Sequence, residues 1–115
     1  MDNSESGFVE KRKEPRYACE LEALIRYGRK RLFCRITNIS LHGLEIRTDK
    51  QIDMDEFIIE FKVDKDIFVL SCQMVSVTEQ EIESVIHAKF VMIPTETRKY
   101  FENFLTYATL SFKKL

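Results

Sequence analysis

Six short stretches of this chain alternate apolar and polar residues with a period of two, and little but turns fits between them. Leu21, Ala23, Ile25 and Tyr27 alternate with Glu22, Leu24 and Arg26, and Gly28 then marks a turn. Leu32, Cys34 and Ile36 share one face of a second stretch that runs into Asn38. Leu44 and Ile46 alternate with Glu45 and Arg47, and the polar run from Thr48 to Asp55 closes that strand. Phe57, Ile59, Phe61 and Val63 form a fourth face, ended by the turn Asp64-Lys65-Asp66. A fifth strand is predicted from about Ile67 to Thr78, and a sixth carries Ile86, Ala88, Phe90 and Met92 on one side. Strands joined by hairpins pair with their neighbours, and closing the sheet on itself removes the exposed edges. The expected fold is mainly β: a small six-stranded antiparallel β-barrel spanning residues 18–93.

Pro94 breaks the strand pattern, and Thr95 is placed to cap a helix over 95–112 whose Phe101, Phe104, Leu105, Ala108 and Phe112 follow helical spacing. That stripe is expected to close one end of the barrel. A chain of 115 residues, 44% hydrophobic and with nine Phe, has material for one core and not two. Residues 1–10 are polar and are expected to be a flexible segment. No apolar run approaches the roughly 20 residues that cross a bilayer, so no transmembrane segment is expected.

Three cysteines, at positions 19, 34 and 72, form no Cys-x-x-Cys pair, and no signal-type apolar stretch follows Met1. A reducing cytoplasm is the expected compartment. Cys34 and Cys72 with His42 and His87 match no metal-ligand spacing, and both cysteines fall on apolar strand faces, where they read as small buried hydrophobes. The acids of residues 49–66 lack the spaced loop that calcium requires. With no Gly-rich phosphate loop, zinc-binding His pair or nucleophile elbow, no residue set supports an enzyme, a metal site or a cofactor.

Charge is unevenly divided. Residues 1–47 carry ten Lys or Arg against seven acids and the remainder eight against twelve, so the halves stand at +3 and −4. An anionic partner is drawn to the first half. There, residues 11–17 form a basic arm with Lys11, Arg12, Lys13 and Arg16, in which Pro15 turns Glu14 away from helix. From Arg26 to Arg35 there are five basic residues and no acid, a run that suits either a solvated hairpin tip or nucleic acid. Tyr27 and Phe33 within it could stack bases, but the alternation points to packing.

The arm and the turn after the second strand together suit a compact anionic nucleotide. Arginine guanidiniums fork onto phosphate and stack on purines. Asn38 offers both a carbonyl and an amide, Ser40 a hydroxyl, and Gly43 a bare backbone able to adopt positive φ and let a ligand approach. Taken in order, Arg12-x-x-x-Arg16, a strand and its turn, then Asn38-x-Ser40-x-x-Gly43 resemble the PilZ domain family, over nearly the whole chain. The resemblance implies a receptor for cyclic di-GMP, with Arg12, Arg16, Asn38, Ser40 and Gly43 as ligand-binding residues. His42 stands where a second glycine is common, and Asn38 replaces the more frequent Asp, so His42 adds a side chain beside the ligand. In that family the residue before the first motif Arg is associated with one ligand or a stacked pair. Here it is Lys11, a cation suited to two ligands per chain. Three readings stand: a cyclic di-GMP receptor that orders its arm and signals to an unidentified protein effector, a ligand-free adaptor of the same fold, and a nucleic-acid-binding small barrel. The first is the expectation, and it anticipates no nucleic acid partner.

Overall fold

The computed structural model describes residues 15–108 and 113–114. The strands are β1 (Tyr17–Tyr27), β2 (Lys30–Ile39), β3 (Gly43–Thr48), β4 (Glu56–Val63), β5 (Asp66–Glu79) and β6 (Ser84–Phe90), followed by helix α1 (Thr95–Ala108) and a two-residue strand β7 (Lys113–Lys114). The sheet order is β2-β3-β6-β5-β4-β1, and β1 pairs back onto β2 to close the barrel. Every pairing is antiparallel. The strand β7 was not foreseen; it pairs with Tyr17 and Ala18 at the start of β1. The expected six-stranded barrel with a C-terminal helix is therefore the observed architecture.

The alternating faces explain the core. Ile25, Ile36, Ile46, Ile59, Phe68 and Ile86, one from each strand, are among its most deeply buried side chains. Burying an aliphatic side chain of this size contributes about 1.5–3 kcal/mol. The connection between β3 and β4 sends Ile52 into the core. On α1, Phe101, Phe104 and Leu105 are the buried stripe. Phe104 meets Phe68 with ring centroids 4.7 Å apart, and Phe101 meets Phe90 edge-on at 5.3 Å. The helix is thus the expected core-facing lid.

Three local expectations change. The sixth strand ends at Phe90, and Met92, expected on its inner face, lies beyond it with φ 50° and 92% exposure. The cap of α1 falls on Pro94, whose carbonyl accepts the Arg98 N–H at 2.8 Å; the Thr95 hydroxyl bonds no described residue. Phe33 is not a packing residue: it stands outward on β2, 80% exposed, whereas Tyr27 packs against the core. Residues 109–112, the last turn of the expected helix with Phe112, lie outside the described residues. Among the described residues no helix is long and apolar enough to cross a membrane.

Candidate ligand-binding cleft

Strict alternation along β2 would carry Asn38 into the core behind Cys34 and Ile36. A bulge prevents it. Ile36 pairs with Ile46 and Asn38 with the next residue back, Glu45, so Thr37 is an extra residue in β2. The inner face resumes at Ile39, which is fully buried, and Asn38 turns outward. A second bulge lies across the sheet, where Met74 pairs with Ala88 and Ser76 with His87, leaving Val75 extra in β5. Val75 and Ser76 then both face the same outer surface as Asn38.

Beyond Asn38 the chain reverses over Ser40-Leu41-His42. The Ser40 N–H donates to the Gly43 carbonyl at 2.9 Å, and the Ser40 hydroxyl oxygen accepts the N–H groups of His42 at 3.2 Å and Gly43 at 3.3 Å. Ser40 is only 9% exposed, so its hydroxyl holds the turn from within. Gly43 is not in the left-handed region; among the described glycines only Gly28 has positive φ. Its missing side chain matters on the barrel side, because a Cβ there would stand 2.3 Å from the Ala88 carbonyl oxygen. The close approach expected of a ligand is made by strand β6 instead. The His42 carbonyl ties the turn to the same strand by accepting the Phe90 N–H at 2.8 Å.

Between the two bulges lies a cleft of ≈ 340 Å³, within the usual range for small-molecule sites of roughly 300–1,000 Å³. Arg16, Asn38, Ser40, His42 and Gly43 line one side of it. Arg12 and Lys11 lie outside the described residues. The opposite wall comes from residues the motifs did not indicate: Glu45 on β3, Val75 and Ser76 on β5, and His87 and Lys89 on β6. Asn38, Glu45, His87 and Ser76 are successive cross-strand partners over four strands. Glu45 anchors the row. Its Oε1 accepts the Thr37 hydroxyl at 2.8 Å, and its Oε2 lies 3.1 Å from His87 Nε2, while Ser76 Oγ is 3.4 Å from His87 Nδ1. The signal for this wall is faint but present: apolar residues at 36 and 39 rather than 36 and 38, and at 74 and 77 rather than 74 and 76.

Outside the cleft the chemistry is structural. Glu83 accepts Arg47 at 2.8 Å and Arg35 at 3.0 Å, and the Arg47 hydrogen bond holds its carboxyl below the usual range. Burial pushes the thiols of Cys19, Cys34 and Cys72 up to about 12, so they stay protonated near neutral pH and make poor nucleophiles. Among the described residues no three His, Cys, Asp or Glu converge as a metal site would require.

Fold and cleft together define a small closed barrel that presents an arginine and a tight polar turn to one side of its wall. The chain belongs to the PilZ domain family, whose model matches residues 10–107. It is similar in structure to the PilZ domain with c-di-GMP of YcgR from Escherichia coli, with a TM-score of 0.75 at 12% identity, covering 89% of this chain and 94% of that one. It is also similar to the Bacillus subtilis inhibitor of motility MotI/DgrA, with a TM-score of 0.73 at 10% identity, covering 90% and 53%. YcgR from Escherichia coli in complex with c-di-GMP gives a TM-score of 0.74 at 16% identity, covering 90% and 48%, so this chain spans about half of the last two. No curated protein sequence matches the chain.

Proposed function

We propose that this chain is a cyclic di-GMP receptor of the bacterial cytoplasm, a binding protein rather than an enzyme, which passes the binding event to a protein partner. One observation carries the reading: the barrel brings Arg16, Asn38, Ser40, His42 and Gly43 to a single cleft. Membership of the PilZ family supports it. In this reading Arg12 and Arg16 fork onto the phosphates, Asn38 bonds a guanine edge, Ser40 and Gly43 hold the turn, and His42 walls the ligand. Residues 1–16 have too few apolar groups to offset their ordering entropy unaided, so the ligand fixes the arm and the arm becomes the signal. Lys11 shields the charges of a stacked pair, giving two ligands per chain.

Calorimetric titration of the full chain with cyclic di-GMP, GTP and a short single-stranded oligonucleotide tests this. Saturable heat with cyclic di-GMP only, ending near two ligands per chain, is the expected result; Lys11→Leu then moves the endpoint towards one. Heat with the oligonucleotide only would overturn the receptor reading for a nucleic-acid-binding barrel, which the exposure of Phe33 beside Arg29 and Arg31 favours. Silence with all three would leave a ligand-free adaptor.

A further inference from the structure

Resting on the cyclic di-GMP reading, we infer that Glu45 acts with Asn38 to read the guanine edge, and so selects guanine over adenine. Glu45 points outward from β3 and lines the cleft, and its cross-strand partner on β2 is Asn38. Its side chain is only 21% exposed and its carboxylate is fixed from three directions. Thr37 donates to Oε1 at 2.8 Å, Arg47 Nε lies 4.0 Å from the same oxygen, and His87 Nε2 lies 3.1 Å from Oε2. A carboxylate has about four acceptor positions, and these close contacts occupy about two of them. Each oxygen keeps one. The Asn38 amide bonds no described residue. The row therefore offers an amide donor and then two carboxylate acceptors.

Guanine presents the complementary set: O6 accepts, while N1–H and the N2 amino group donate. Adenine presents an amino donor and, at N1, a lone pair. That lone pair would face the carboxylate, and an unpaired, largely desolvated acceptor costs more than a missing hydrogen bond. An acid in the wall of a cleft for an anion has a use under this assignment. Unless the acid accepts hydrogen bonds from the ligand, its charge only lowers affinity. Arg47, 4.0 Å from it, and Lys89 on the same cleft soften that repulsion.

The test compares the parent chain with Glu45→Gln and Glu45→Asp, titrated with cyclic di-GMP, cyclic di-IMP and cyclic di-AMP. Cyclic di-IMP differs from cyclic di-GMP only by lacking the N2 amino groups. The parent is expected to prefer cyclic di-GMP over cyclic di-IMP by about 10-fold or more, and over cyclic di-AMP by more still. In Glu45→Gln that preference shrinks towards unity, and in Glu45→Asp, which keeps the charge but shortens the reach, it weakens as well. A merely structural role would lower affinity for all three ligands alike, so unchanged preferences in both variants overturn the assignment of Glu45. A parent that binds none of the three overturns the receptor reading itself. The two failures appear in different proteins and cannot be confused.

Discussion

At Gly43 the absent side chain faces strand β6, and at Asn38 a present one faces the cleft, so substitutions at these two motif positions should fail in different ways. A Cβ at Gly43 would meet the Ala88 carbonyl, which is backbone and cannot swing aside. Overpacking of this kind costs about 1–3 kcal/mol. Gly43→Ala should therefore lower Tm by several degrees in the absence of any ligand, measured by thermal melting; an unchanged Tm would mean the strands separate freely there. Asn38→Ala removes an outward amide with no described partner, so Tm should hold while cyclic di-GMP affinity falls about 10-fold. Arg16→Ala should weaken binding by about 10- to 100-fold, and Arg16→Lys should also lose affinity, because a point charge cannot fork and stack. Full affinity in both Arg16 variants, with the fold intact, would remove Arg16 from the site.

The bulges are the feature of the strands that matters most for the cleft. Six alternating stretches made the barrel legible, since a buried face needs an apolar residue at every second position. The same rule gave no sign of the far wall, because one extra residue at Thr37 and one at Val75 break the alternation locally. A linear motif also names residues near each other in the chain. Glu45, His87 and Ser76 become neighbours only through pairing across β3, β6 and β5, which no spacing in the sequence records. Glu83, in the turn between β5 and β6, braces β2 and β3 through Arg35 and Arg47. A carboxyl whose folded pKa is depressed adds stability above its unfolded value, roughly 4.3, and that stability is lost as pH falls through the lower folded value. Melting temperatures taken from pH 7 to about pH 3 should thus fall further for the parent than for Glu83→Gln. Parallel profiles would show that Glu83 contributes nothing on the acid side.

For the whole molecule, the proposed function requires the basic arm, and not the barrel, to be the part that the ligand fixes. The core and the phenylalanines that seat α1 hold the strands independently of the cleft, so binding should leave the barrel strands unchanged. Amide hydrogen exchange of residues 8–17 should slow markedly when cyclic di-GMP is added, while the barrel strands beyond Tyr17 keep their rates. Equal exchange of the arm in both states would remove it as the signal. Because phosphate contacts draw on arginine charge, affinity should also decline as salt rises. The most direct measurement is an amide NMR titration of the full chain with cyclic di-GMP, following every assigned residue. Shifts should concentrate at Arg16, from Asn38 to Glu45, and at Ser76, His87 and Lys89 across the cleft. Shifts confined to the hairpin tip around Arg29 to Phe33, or no shifts at saturating ligand, would contradict a cyclic di-GMP site in this cleft.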